Sequence, residues 1–244
     1  MPSSCFADRL SDFIKLTPGE RTTLEGLEDR ERHLRRGAVL QRENDKAGEL
    51  FILSKGMMMS YVLLDDGSRQ ILRFLFPGDM LATACLVYAK APESIGALTD
   101  CTVCPFDRSA FTQLAEDHPR LSALILALSQ IERVALTDRL ASLGRTGAKT
   151  RVGAVLLELR NRLRTLDRNI TTAFTLGLTQ EEIGDATGLT AVHVNRMLRQ
   201  LEEEALITRE AGRVTFLDER ALIRTAGYVD RYEGLDLSWL PAGR

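Results

Sequence analysis

The segment LTQEEIGDATGLTAVHVNRMLRQL, residues 178–201, restricts the fold more than any other part of the chain. Thr179 followed three residues later by Glu182 is a capping box, which fixes a helix start at that threonine. Ile183 and Ala186 fall on the inner face of this helix, Gly188 supplies a permissive backbone just past its end, and Thr190 can cap a second helix. On the second helix Val194, Met197, Leu198 and Leu201 form an apolar stripe. Ala191, Val192, His193, Asn195 and Arg196 remain near its exposed N-terminal end, with Arg199 one turn further on. Such a pair is either a helical hairpin in an ordinary core or a helix-turn-helix that offers the start of its second helix to the major groove of DNA. The residues that follow favour the second. Runs 206–210 and 213–216 flank Ala211-Gly212 as two short strands about a turn, which puts a wing directly after the helix pair.

Length allows a further domain beside this motif, since 244 residues suffice for two domains of ordinary size or one large one. With 44% hydrophobic and 27% charged residues the composition is that of a globular protein. No run approaches the roughly 20 apolar residues that cross a bilayer, and no basic-then-apolar leader opens the sequence, so a cytoplasmic location is expected. The net charge of −2 does not by itself suggest a nucleic-acid partner, but its distribution does. Residues 145–201 hold nine Lys/Arg against five Asp/Glu, a basic segment on an acidic whole. Cys5, Cys85, Cys101 and Cys104 are too few and scattered for a disulfide framework. In the strand-like CTVCPF, positions three apart point to opposite faces, so Cys101 and Cys104 read as structural thiols rather than metal ligands. His33, His118 and His193 are isolated, and no metal site is expected.

From the start of the chain, Phe6, Leu10, Phe13 and Ile14 at helical spacing predict a short helical lead-in, broken at Thr17-Pro18-Gly19. Between about residues 31 and 106, short apolar runs alternate with turns: 38–40, 50–53, 56–64, 71–76, 95–98 and 101–106. That spacing predicts an antiparallel barrel or jelly roll, with Asp65-Asp66-Gly67-Ser68 as a hairpin turn and Pro77-Gly78-Asp79 as another. Asp107 is placed to cap a short helix. Pro119 opens a long one to about residue 143, with two apolar stripes: Leu121, Leu124, Leu128, Ile131 and Ala135, then Ile125, Leu136, Leu140 and Leu143. A helix with two apolar faces needs two partners, the barrel and a second copy of itself, or else burial within a monomer. Gly144-Arg145-Thr146-Gly147 reads as a hinge, and a third helix over about 149–163 leads into the helix-turn-helix.

This order of elements resembles the CRP/FNR superfamily of bacterial transcription regulators, its FNR/FixK-like branch above all. The resemblance rests on GELFILSKGMMMSYVLLDDGSRQILRFLFPGD, residues 48–79, and on LTQEEIGDATGLTAVHVNRMLRQLEEEALI, residues 178–207. It implies an α+β protein: an N-terminal cyclic-nucleotide-binding-like β-roll, a long dimerisation helix and a C-terminal winged helix-turn-helix. Boundaries follow as a sensor over 1–118, dimerisation helix and hinge over 119–146, and a DNA-binding domain over 147–244. The implied function is sequence-specific DNA binding as a homodimer on palindromic promoter sites, with room for gating by a small-molecule or redox signal in the β-roll. RNA polymerase is an implied partner, with Asp65-Asp66 as one candidate contact and a solvated turn as the alternative reading.

Two departures from the family pattern bear on the sites. Cyclic-nucleotide-binding relatives carry a Gly-Glu pair for the ribose and an Arg-Ser or Arg-Thr pair for the phosphate. Here Ala82-Thr83 and Ala91-Pro92 stand in those places, so tight cAMP binding is not expected. Cys5 alone cannot reproduce the N-terminal cysteine cluster of iron–sulfur relatives. No cofactor is predicted, while haem or another small effector stays open, with Thr83, Cys85, Ala91, Leu136 and Thr137 as candidate pocket residues. In the second helix Val192 stands where relatives often have Glu, and Asn195 where they have Ser or Gly. Arg196 is expected to read a guanine, Val192 a thymine methyl, Asn195 an adenine edge, and His193 a base or a phosphate. Gln180, Thr190 and Arg199 are assigned to phosphates, with Ala191 at the same helix start. A rival reading has the C-terminal domain contact protein instead of DNA. An enzyme is not expected, because no nucleophile–base pair or phosphate-cradling glycine loop appears.

Overall fold

The computed structural model describes residues 4–243. The chain divides into two compact units, Met1–Val62 with Phe74–Arg133 and Gly234–Arg244, and Leu63–Arg73 with Val134–Glu233.

The first unit opens with two helices, α1 (Cys5–Ser11) and α2 (Pro18–Gly26). Thr17-Pro18-Gly19 therefore ends one helix by starting another. Thr17 and Glu20 form a capping box and Pro18 takes the first turn, where its missing N–H costs nothing. Eight strands follow along the chain: β1 (Arg32–Leu34), β2 (Val39–Gln41), β3 (Leu50–Lys55), β4 (Met58–Leu63), β5 (Arg69–Leu75, of which 69–73 count with the second unit), β6 (Met80–Leu81), β7 (Ser94–Ala97) and β8 (Cys101–Phe106). They form two four-stranded sheets, ordered β1-β8-β3-β6 and β2-β7-β4-β5. The expected strand runs are all present; β1 and β6 are additional, too short and too polar or isolated to show as apolar runs. A 3-10 turn covers Thr83–Leu86.

Both faces of the β3–β8 pair are buried, and their residues alternate between two cores. Phe51, Leu53, Cys101 and Val103 join Met58, Leu75, Leu81, Cys85, Ala91 and Ile95 in the roll interior. Leu50, Ile52, Cys104 and Phe106 join Phe6, Leu10, Leu24, Leu114, Leu121 and Leu124 beneath the helices. Cys101 and Cys104 thus lie on opposite faces of one strand, as period-two geometry requires. The Asp66-Gly67 turn closes by bonds from the Leu64 N–H to the Ser68 carbonyl and from the Gly67 N–H to the Leu64 carbonyl.

Helix α3 (Arg108–Asp117) starts after Asp107, whose carboxylate makes no capping bond although the residue holds the capping position. Helix α4 (Pro119–Arg145) runs straight through Gly144, since one glycine costs a helix only about 1 kcal/mol. The break falls at Thr146-Gly147 instead. Of its first stripe, Leu121, Leu124 and Ile131 are buried; Leu126, Leu136 and Leu140 are exposed, Leu140 at 72%.

The second unit is built on α5 (Ala148–Leu166), which packs against α6 (Gln180–Thr187), α7 (Ala191–Glu203) and α8 (Glu219–Ala226). A three-stranded sheet of order β10-β11-β9 joins β9 (Ala173–Thr175), β10 (Ile207–Glu210) and β11 (Arg213–Phe216). The wing therefore has three strands, the first supplied by a segment before the helix pair. Its turn has Ala211 and Gly212 at φ 47° and 78°, the two positive angles of a tight hairpin turn.

Candidate nucleic-acid interface

Each end of the helix pair is fixed by a local bond that the sequence anticipates. The Thr179 hydroxyl accepts from the Glu182 N–H at 3.1 Å while the Glu182 carboxylate accepts from the Thr179 N–H at 2.6 Å. Gly188 takes the left-handed conformation at φ 66° and ends α6. The Thr190 hydroxyl accepts from the His193 N–H at 3.3 Å and starts α7. Between the helices the backbones approach so closely that a Cβ on Gly184 would lie 2.3 Å from the Leu189 carbonyl oxygen, so only glycine fits there.

Val194, Met197, Leu198 and Leu201 bury one side of α7. On the other side Val192 is 81% exposed, and His193, Arg196 and Arg199 are exposed with it, while Ala191 and Asn195 are half-buried. The eight-residue span from Val192 to Arg199 therefore offers an apolar patch, an imidazole, an amide and two guanidinium groups along a single face. The cationic ends suit phosphate and guanine acceptors. Gln180 is exposed at the first turn of α6, and its amide donates to the Asn195 side-chain oxygen at 3.5 Å, which brings together two residues read separately from the sequence. Thr190 is held by its capping role and also lies 3.3 Å from the His193 ring nitrogen Nδ1.

The basic count over residues 145–201 overstates the charge at this surface. Arg160 and Arg162 are buried. Arg160 pairs with Glu219, donates to the Thr171 carbonyl at 3.3 Å and stacks over Phe216. Arg162 donates to the Tyr232 hydroxyl at 2.7 Å, and Lys149 pairs with Glu204 at 2.5 Å. Arg145, Arg168, Arg196 and Arg199 remain exposed. The hairpin segment 63–73 packs with the helix pair, a contact absent from the sequence reading: Arg69 meets the Asp185 carboxylate at 2.7 Å, and Gln70 donates to the Asp185 carbonyl at 2.7 Å. Nothing in the local pattern of a hairpin announces a partner 115 residues away.

The candidate pocket residues belong to both units. Cys85 and Ala91 lie in the roll interior, and Thr83 begins the 3-10 turn beside them. Leu136 and Thr137 are exposed on α4 and belong to the second unit. Ala82, just before that turn, takes the left-handed backbone at φ 60°. The interior offers an anionic ligand little: the buried charged groups described in the first unit are Arg9, Glu20 and Asp79, none of them in this cluster. The Cys85 thiol donates to the Gln41 side-chain oxygen at 3.4 Å, and the buried Ser60 hydroxyl has no partner. Burial pushes all four thiols up from their ordinary range, Cys104 to about 12. Among the described residues no three His, Cys, Asp or Glu side chains are placed to hold a metal ion.

A β-roll followed by a long helix and a winged helix-turn-helix defines the class of two-domain bacterial regulators that couple a sensor to a DNA-reading helix. Residues 31–118 match the family model "Cyclic nucleotide-binding domain" and residues 150–225 match "Crp-like helix-turn-helix domain". The chain is 32% identical to the transcriptional activatory protein AadR of Rhodopseudomonas palustris, over 88% of this chain and 89% of that one. It is 31% identical to the nitrogen fixation regulation protein FixK of Azorhizobium caulinodans, over 75% and 73%. The solved structure of FixK2 from Bradyrhizobium japonicum superposes with a TM-score of 0.71 at 26% identity, covering 80% of this chain and 96% of that one. The chain belongs to the CRP/FNR family of DNA-binding transcription regulators, and the family's members are regulators, not enzymes.

Proposed function

We propose that the chain acts as a homodimer on palindromic promoter sites, inserting α7 of each copy into the major groove. The exposed face of α7 carries this reading, because it sets Arg196 and Val192 outward on a helix whose other side is locked into the core. Arg196 donates twice to a guanine, Val192 meets a thymine methyl, and Asn195 and His193 read neighbouring positions. Gln180, Thr190, Ala191 and Arg199 lie against the backbone, where contacts fix register without reading sequence. The exposed Leu126, Leu136 and Leu140 on α4 support pairing with a second copy through that helix. The three functional divisions are a sensor (1–118), a dimerisation helix and hinge (119–146) and a DNA-binding domain (147–244).

A small-molecule or redox signal in the roll, near Thr83, Cys85 and Ala91, gates the protein by shifting α4. That changes the spacing of two reading helices against the groove repeat of about 34 Å. Tight cAMP binding and a resident iron–sulfur cluster form no part of this reading; a haem or other small effector is compatible with it. The kinship with AadR supports activation, with RNA polymerase as partner and Asp65-Asp66 as its contact. The protein works in the cytoplasm; among the described residues no helix is long and apolar enough to cross a membrane.

Selection from random duplexes tests the core of the proposal. The expected motif is a palindrome with one strictly required G·C pair in each half-site. Arg196→Ala is expected to relax that position and cost about 1–3 kcal/mol of binding. An unchanged motif and affinity in that variant would remove the base-reading assignment.

A further inference from the structure

Serine is mostly a surface residue, yet Ser60 on β4 is wholly buried, at 0% exposure. Strand register sets its direction. In the ladder between β4 and β7, Ser60 lies opposite Ile95 as Met58 lies opposite Ala97, and opposed residues share a face of the sheet. Met58, Ile95 and Ala97 all belong to the roll-interior core, so the Ser60 side chain points into it. Its hydroxyl has no hydrogen-bond partner, and among the described residues of the first unit no other wholly buried side chain is left in that state. The polar groups of Cys85 and Gln41 are, by contrast, already paired. The Cys85 thiol donates to the Gln41 side-chain oxygen at 3.4 Å, and the Gln41 amide donates to the Glu93 carbonyl at 3.3 Å. A second cost sits in the same core, where Ala82 holds a left-handed backbone that disfavours any residue with a Cβ. An unpaired buried hydroxyl and a strained alanine both forgo stability that a simpler residue would restore, and proteins tolerate such losses where they bind something.

We propose that the roll interior takes a small uncharged molecule, apolar except for one hydroxyl group, and that Ser60 is the residue that recognises that group. The proposal rests on the reading of the roll as a signal site and gives that site a ligand class. The walls around Ser60 decide the class: Phe51, Leu75, Ile95 and Val103 offer apolar contact and no opposing charge, so an ionised ligand would lose its hydration without compensation. A serine hydroxyl both donates and accepts, which suits an alcohol or phenol. An analogue of the same shape without the hydroxyl would leave Ser60 unpaired, as it is in the free protein, and forfeit one hydrogen bond.

Three probes on the full-length chain test this: benzyl alcohol, ethylbenzene, which has a methyl in place of the hydroxyl, and benzoate, which carries a charge. Binding is read from the NMR shifts of amides in residues 58–61 and 94–97. Benzyl alcohol should move them saturably, ethylbenzene should bind about fivefold more weakly, and benzoate should leave them in place. Ser60→Ala, free of ligand, should unfold about 3 °C higher than the original chain and bind the two neutral probes alike. Equal binding of benzyl alcohol and ethylbenzene by the original chain would mean that the hydroxyl serves a trapped water only, and would overturn the proposal. So would a preference that survives in Ser60→Ala, a Ser60→Ala chain less stable than the original, or no binding of either neutral probe. Duplex affinity at saturating benzyl alcohol is a separate readout: no change there removes the gating reading and leaves the Ser60 site standing.

Discussion

The helix pair and the roll interior are equally well buried at their cores, but they assemble their functional surfaces in opposite ways. In the helix pair every decisive residue lies within 25 positions, and three local devices, the Thr179 cap, Gly188 and the Thr190 cap, fix which way Val192 and Arg196 face. In the roll, Phe51, Leu81, Cys85, Ala91 and Cys101 meet from five segments separated by turns, and no single segment determines the space they enclose. A function written into one short stretch is read by spacing. A function shared among distant strands depends on register, which neighbouring residues do not reveal.

The largest expected effect tests whether both regions depend equally on close backbone approach. A Cβ on Gly56, at φ 91° in the turn between β3 and β4, would lie 2.4 Å from the Asp100 carbonyl oxygen. Gly56→Ala is expected to destabilise the first unit by about 3 kcal/mol, steric conflict and left-handed backbone adding together. Gly184→Ala faces the Leu189 oxygen at 2.3 Å without an unfavourable φ, and should cost about 2 kcal/mol. Because it displaces α7 against α6, it should also weaken duplex binding, which Gly56→Ala in its folded fraction should not. Denaturant titration and duplex binding on the same preparations separate the two. Intact binding by Gly184→Ala would show that the helix pair tolerates displacement and would break the contrast.

The same contrast explains what the sequence disclosed. The capping boxes, the Ala211-Gly212 turn, the buried stripe of α7 and the face exchange between Cys101 and Cys104 all follow from periods of 3.6 or 2 and from the turn chemistry of a few residues. Thr17 and Glu20 carried the same signal as Thr179 and Glu182, but proline and glycine between them read as a break. Strand β9 was hidden because its ladder partner, β11, lies some forty residues on. The bond from Arg69 to Asp185 and the burial of Arg160 and Arg162 could not be read from charge counts, which do not distinguish a solvated cation from one paired inside a domain.

A middle-sized effect sharpens the claim that local caps govern the helix pair. Thr179→Ala removes the acceptor for the Glu182 N–H and should cost about 1 kcal/mol, while Thr179→Ser should restore most of it. Thermal unfolding of the three chains measures this directly. A loss of the same size in the serine variant would locate the contribution in the methyl group's packing instead of the cap.

The smallest effect concerns how the reading helix is joined to its wing. Glu202 near the end of α7 accepts from Arg209 on β10 at 2.7 Å, and this bond, aided by the charges of Arg209 and Arg199, holds its carboxyl below the usual range against a smaller opposing effect of burial. A carboxyl with a lowered folded pKa adds stability above its unfolded pKa of about 4.3, and that stability is lost as pH falls through the folded value. Glu202→Gln should therefore be less stable than the original chain at neutral pH by no more than about 1 kcal/mol, because the pair is partly exposed. At a pH well below 4 the gap should close as the native carboxyl protonates. A gap that persists unchanged in acid would assign the loss to geometry at the helix end, and the wing would then be joined to α7 by shape alone.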